Sequence, residues 1–314
     1  MSTSIQWFPG HMHTTRKAIA ERVGEIDVVI ELLDARLPGS SANPMLAALT
    51  IGKPTVKILN KQDLADATQT AAWLAHYNAQ PGTQAFGLDA SVNAPLQHLR
   101  RACNLLAPTR GSMSKPMRVL ICGIPNVGKS TLINTLTGKR SAKTGDEAGV
   151  TRITQRITLA DGFYLFDTPG VLWPKIAVAQ SGYNLAASGA IGKNAYEDVD
   201  VAMALLAYLQ NPYAAELVAR YQLESPAAVA AKGEEDLLAA IGRKRAALQA
   251  GNKVNLQKAA EIVIHDFRSG AMGRITLETP EEFARWTLLA AQEAQAKEAQ
   301  KLASKPAKTR REVQ

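Results

Sequence analysis

Residues 123–130 read GIPNVGKS, and residues 60–63 read NKQD. The first completes the pattern G-x-x-x-x-G-K-[ST]. An apolar run, KPMRVLICG (115–123), leads into it, and a helical pattern, KSTLINTLTG (129–138), leads out. Strand, glycine loop, helix is the setting of a phosphate-binding loop. Gly123 and Gly128 permit backbone angles that let successive N–H groups, from Asn126 and Val127 through Gly128, converge on phosphate oxygens. The helix N-terminus adds a favourable dipole. Lys129 brings an ammonium to the outer phosphates, the Ser130 hydroxyl can ligate Mg²⁺, and Thr131 continues the loop. Such a loop works only at the carboxyl end of a strand that feeds a helix, so it commits the chain to an α/β sheet.

The rest of the sequence agrees. IDVVIELLDA (26–35), KPTVKILNK (53–61), KPMRVLICG and FYLFDTPG (163–170) are short apolar runs that end in polar or glycine turns, as buried parallel strands do. QAFGLDA (84–90) reads as a further strand. ITQRITLA (153–160) alternates polar and apolar residues and reads as an edge strand. Helical patterns at 41–50, 68–79, 95–107 and 129–138 fill the gaps, which predicts an open α/β P-loop domain over 1–174. Beyond Pro174 the patterns turn helical: 196–210, 214–222, 234–248 and 256–270, with no strand signal before ITLE (275–278). A mainly helical domain over 175–290 is expected, then a basic tail over 291–314 in which a frayed helix end gives way to disorder.

Two further loops carry chemistry at strand ends. Asp167-Thr-Pro-Gly170 closes an apolar strand. Asp167 suits Mg²⁺ through a water, and the Gly170 N–H suits a terminal phosphate. Thr151, in the polar stretch between this loop and the phosphate loop, suits an element that closes on Mg²⁺ when that phosphate is present. In Asn60-Lys61-Gln62-Asp63, the Asp63 carboxylate can accept from the ring N–H and the exocyclic amine of guanine. Adenine has no such donor pair. The Lys61 stem can cover the base, and Asn60 can tie this loop to the phosphate loop. Asp89-Ala90-Ser91 follows the next strand and can offer the backbone N–H groups of Ala90 and Ser91 to the guanine oxygen.

A guanine-reading loop commonly follows the phosphate loop, and here it precedes it. The order is 60–63, 89–91, 123–130, 151, 167–170. It is the common order cyclically permuted, with the old termini joined through about residues 95–117 and the Mg²⁺ loop running straight into the helical region. Nucleotide state is therefore expected to bear on the pose of that region.

The permuted order, with WFPGHM (7–12), NKQD, GIPNVGKST, DTPGVLWPK and GAIGKNAYEDVDVA (189–202), resembles the circularly permuted GTPases of the ribosome biogenesis GTPase A (YlqF/YawG) type. The resemblance runs from about residue 5 to about 285. It implies GTP hydrolysis coupled to late assembly of the large ribosomal subunit, a helical domain that contacts ribosomal RNA, and stimulation by the particle.

Where many GTPases carry a water-orienting Gln, this chain has Val171, which cannot hydrogen-bond. His11 can position or deprotonate water, and the resemblance assigns it that role. The same Pro-Gly-His also reads as a helix-entry turn anchored by Trp7 and Phe8. Asn126 suits either a turn cap or a K⁺ ligand beside the phosphates. In GRKRAALQAGNKVNLQK (242–258), Arg243, Lys244, Arg245, Lys253 and Lys258 fit RNA phosphates or a solvated helix face. Aromatic residues are sparse there, which favours recognition of structured RNA by shape and phosphate over base stacking. The net charge of +8 accords with a polyanionic partner.

Neither a membrane span nor a signal peptide is apparent, so the cytoplasm is the expected compartment. Cys103 and Cys122 lack metal spacing. A monomer off the ribosome is expected. The rival readings are a GTP-dependent RNA-binding switch and a GTPase tied to tRNA or the small subunit.

Overall fold

A computed structural model of the chain describes residues 5, 7, 10–88, 96–138 and 155–303. After helix α1 (His11–Arg22) the chain enters β1 (Val28–Asp34), all of whose residues are buried. Two short helices follow, α2 (Pro38–Ser41) and α3 (Pro44–Leu49). The buried Asn43 caps α3 by accepting from the N–H groups of Met45 and Leu46. Next come β2 (Thr55–Asn60), α4 (Ala67–Asn78), β3 (Thr83–Leu88), α5 (Leu96–Leu106), β4 (Met117–Gly123), α6 (Lys129–Thr137), β5 (Gln155–Ala160) and β6 (Phe163–Asp167).

The six strands form one sheet in the order β3-β2-β1-β4-β6-β5. Only β5, at one edge, is antiparallel; it pairs with β6 across an Asp161-Gly162 turn, with Gly162 at φ 71°. The centre is β1, paired in parallel with β2 on one side and β4 on the other. Chain direction across the sheet reverses between these two halves, so the carboxyl ends of β1, β2, β4 and β6 converge on the crevice where ligands bind in open α/β sheets.

The remainder is helical: α7 (Ala179–Ser188), α8 (Asp198–Leu209), α9 (Ala214–Tyr221), α10 (Pro226–Ala230), α11 (Glu234–Lys244), a small hairpin of β7 (Leu248–Gln249) and β8 (Lys253–Val254), α12 (Leu256–Ser269) and α13 (Pro280–Ala303). α8 packs against α7, α11 and α12. One apolar core runs from the sheet into these helices, because Val171, Leu172, Trp173 and Ile176 are buried across the expected boundary near Pro174.

Two expectations need correction. ITLE forms no strand, because its donors are taken by loops rather than by a neighbouring strand. Ile275 N–H donates to the Leu64 carbonyl (3.0 Å) and Leu277 N–H to the Arg36 carbonyl (2.7 Å), making an extended strap back onto the sheet. The expected tail over 291–314 begins too early, since α13 continues to Ala303. Residues 291–303 are mostly Ala, Gln, Glu and Lys, which favour helix without apolar burial, and Glu293 and Lys297 pair at 3.9 Å.

The strap ends on Glu278, which is fully buried. Its carboxylate accepts from Ser40 N–H (2.7 Å), from the Ser40 hydroxyl and from Asn184 Nδ2 (3.2 Å). Burial pushes its carboxyl up to about 7, against the pull of these hydrogen bonds.

Candidate functional site

The phosphate loop leaves β4 at Gly123, where a side chain is excluded: a Cβ would stand 2.8 Å from the Leu32 carbonyl oxygen. Asn126 (φ 58°) and Gly128 (φ 99°) adopt the left-handed conformation that turns the backbone around the loop. Lys129 opens α6, with Ser130 and Thr131 half-buried in its first turn. The buried Lys129 ammonium makes an ion pair with the buried Asp167 at the end of β6.

The loop after β6 is pinned to the phosphate loop. Thr168 Oγ1 donates to the Ile121 carbonyl (2.9 Å), and Val171 N–H donates to the Gly123 carbonyl (3.1 Å). Gly170 lies so close to Pro125 that a Cβ would stand 2.9 Å from its Cα. From the other side, Asn43 Nδ2 donates to the Val171 carbonyl at 2.9 Å.

The guanine-reading loop leaves β2 in the same crevice. Asn60 Nδ2 donates to the Val127 carbonyl (2.7 Å), the tie expected of it. Lys61 adopts a left-handed conformation (φ 60°), and its ammonium donates to the Asn126 carbonyl at 2.8 Å. Asp63 follows in a short 3₁₀ turn (Gln62–Leu64) with its side chain exposed at the mouth of the crevice.

Sequence reasoning missed Asp34 and Arg36, at the end of β1. Both are about 1% exposed. The guanidinium donates twice to the carboxylate, Nε to Oδ1 at 2.9 Å and NH2 to Oδ2 at 2.8 Å. Lys61 Nζ shares Oδ2 at 2.9 Å. Burial raises the Asp34 carboxyl, but the charges of Arg36 and Lys61 outweigh it and hold the group well below the usual carboxylate range. The signal was an Asp and an Arg at the end of the apolar run IDVVIELLDA (26–35), at the carboxyl end of a strand, where ligands bind.

The helical half meets this crevice through Asn126, whose Nδ2 donates to the Gly189 carbonyl (2.9 Å) at the end of α7. Arg268, in the last turn of α12, donates to the Ala186 (2.7 Å) and Ala187 (2.8 Å) carbonyls of α7.

His11 is the first residue of α1; its side chain is not among the described atoms. The next residue, Met12, is buried, and its sulfur accepts from Leu172 N–H at 3.5 Å. Ala90, Ser91 and Thr151 lie outside the described residues.

Arg243, Lys244, Lys253 and Lys258 are exposed at the α11–hairpin–α12 junction. Arg245 differs. It is half-buried, its NH2 donates to the Arg220 carbonyl (2.7 Å), and its guanidinium stacks over Tyr221 at 5.3 Å. The expectation that it faces a phosphate is corrected: the turn after α11 directs it into the helical packing.

Mg²⁺ suits this donor set. The Ser130 hydroxyl and Asp167 carboxylate are hard oxygen donors beside the phosphate loop, and no cluster of three or more His, Cys, Asp or Glu that would cage a metal occurs among the described residues. An ion shared with nucleotide phosphates needs few protein ligands. Among the described residues no helix is long and apolar enough to cross a membrane.

Comparison with known proteins fits this geometry. A family model described as 50S ribosome-binding GTPase matches residues 118–230, from β4 through the Asp167 loop and onward. The guanine-reading loop falls before that match, as the permuted order requires. Ribosome biogenesis GTPase A of Bacillus cereus is 41% identical over 89% of this chain and 95% of its own length. The Priestia megaterium protein of the same name is 40% identical over 89% and 98%. GNP-bound YlqF from T. maritima shares the fold, with a TM-score of 0.59 at 24% identity over 86% of this chain and 99% of that one. A permuted guanine-nucleotide crevice and similarity over 89% of the chain to these relatives lead to one conclusion: the chain is a GTPase of the ribosome biogenesis GTPase A family.

Proposed function

We propose that this GTPase acts in the cytoplasm in late maturation of the large ribosomal subunit, binding the particle through its rRNA and leaving on GTP hydrolysis. The observation that carries the reading is near full-length similarity to relatives named for ribosome biogenesis. The exposed Arg243, Lys244, Lys253 and Lys258 supply the phosphate-facing charge. Off the particle the protein is a monomer.

GTP is held by the backbone of residues 126–131, by Lys129 and Gly170 at the phosphates, and by Asn60, Lys61, Asp63, Ala90 and Ser91 around the base. As phosphates enter, Lys129 exchanges Asp167 for phosphate oxygens and releases that carboxylate. Ser130, Thr151 and Asp167 would hold Mg²⁺. The ion neutralises charge on the outer phosphates when bound.

Val171 is buried and has no group to orient water. His11 takes that role, supported by the contact between its neighbour Met12 and Leu172. Asn126 would help hold a K⁺, which would supply the positive charge of an arginine finger. The Asn126 amide nitrogen, which donates to the Gly189 carbonyl, would link that site to the end of α7. Equal hydrolysis rates in Na⁺ and K⁺ buffers would remove K⁺ from this account.

The test is sedimentation with purified large or small subunits. Expected is co-sedimentation with the large subunit in a non-hydrolysable GTP analogue and release in GDP. In GTP, wild type is released while His11→Ala stays bound. Release of His11→Ala in GTP as readily as wild type would favour an RNA-binding switch whose hydrolysis is incidental, preference for the small subunit would favour a small-subunit factor, and equal binding in both nucleotides would contradict the proposal.

A further inference from the structure

Four donors converge on the carboxylate of Asp34, at the end of β1. Arg36 gives its own backbone N–H (3.1 Å) as well as Nε and NH2, and Lys61 gives its ammonium. The same ammonium donates to the Asn126 carbonyl, so Lys61 bridges Asp34 to the phosphate loop. Lys61 sits in a left-handed conformation that a lysine adopts only when its surroundings hold it there. Its charge is also opposed: burial and Arg36 lower its pKa, and Asp34 works against both.

Arg36 braces the carboxylate from behind. Its NH1 donates to the Phe267 carbonyl of α12 (3.3 Å), and its guanidinium stacks on the Phe267 ring at 4.8 Å. Among the described residues, Asp34 is the anion that pairs with the Lys61 ammonium.

We propose that Asp34 is a positioning residue for guanine-nucleotide binding: it holds Lys61 across the gap between the guanine-reading loop and the phosphate loop, with Arg36 and α12 as its brace. The inference rests on guanine-nucleotide binding and not on the ribosomal reading, so either can fail without the other. Because the pair stands at the base side, it affects GDP and GTP alike. Charge-assisted hydrogen bonds of this kind are among the stronger ones.

The experiment is a double-mutant cycle on the full chain, read by titration of fluorescent GDP and a fluorescent non-hydrolysable GTP analogue. Asp34→Asn and Lys61→Met each weaken both nucleotides by about tenfold. Combined, they weaken binding no more than about twofold beyond Lys61→Met alone, because both remove one coupling. If Asp34→Asn leaves Arg36 too poorly paired to fold, Asp34→Asn with Arg36→Gln replaces it, and the same comparison with Lys61→Met applies. A folded Asp34 variant that binds within twofold of wild type overturns the proposal. So does a loss that is undiminished in the Lys61→Met background, since a merely structural defect would add to it.

Discussion

The nucleotide crevice and the surface proposed to meet RNA are built on opposite plans. In the nucleotide crevice the working groups are buried: Lys129 is 6% exposed, Asp167 3% and Asn60 3%, and each is held by a named partner. At the α11–hairpin–α12 junction, Arg243, Lys244, Lys253 and Lys258 stand in solvent. The first plan fixes geometry in advance, which small phosphate and guanine targets require. The second supplies charge without fixed geometry, which suffices for a polyanion read through its phosphates. A change in the crevice should therefore act steeply and on one ligand. A change at the basic end should act gradually and depend on salt.

The largest expected effect is from Lys129→Ala, which removes the only buried ammonium at the phosphates among the described residues; kcat for GTP falls by about 10²-fold or more in a phosphate-release assay. Asp63→Asn comes next. Exchanging an acceptor for a donor weakens GTP by about 10²-fold and favours xanthosine triphosphate, whose base presents an oxygen where guanine presents an amine; competition titration reads the switch. Replacing Arg243, Lys244, Lys253 and Lys258 with Ala weakens binding to structured rRNA by about tenfold at low salt. It also flattens log K against log [salt] by about three, the signature of lost phosphate contacts.

Glu278 ties α2, beside the sheet, to α7 of the helical part, and its pH dependence has a definite sign. Its folded pKa, about 7, lies above the ordinary 4.5, so folding takes up a proton between these values. Stability from this group is present at low pH and is lost as pH rises through 7, by roughly 3 kcal/mol across the window. Glu278→Gln flattens that part of the stability-against-pH curve in denaturant unfolding. The smallest effect belongs to Arg245→Ala, which costs about 1 kcal/mol of stability through the lost Tyr221 stack and Arg220 bond and leaves the salt slope unchanged.

The contrast between the plans also explains what could be read without a structure. The strands and the phosphate, guanine and Asp167 loops were legible because backbone geometry demands particular residue types at fixed spacing there, as at Gly123 and Gly128. The Asn60 tie was legible for the same reason. Asp34 and Arg36 were not, because their importance lies in a meeting with Lys61 and Phe267 that only the fold creates. Arg245 looked like its basic neighbours because charge patterns do not reveal which side chain a turn directs inward. ITLE looked like a strand because an extended strap has the same apolar alternation. The end of α13 was read as a frayed helix end, and its extent to Ala303 was underestimated because high helix propensity was given less weight than missing apolar residues.

The most direct test of the account is GTP hydrolysis by the purified protein in K⁺ buffer, alone and with large or small ribosomal subunits. The account predicts slow hydrolysis alone, since Val171 cannot serve the water, and strong stimulation by the large subunit only. Absence of stimulation by the large subunit, or equal stimulation by both, would contradict it.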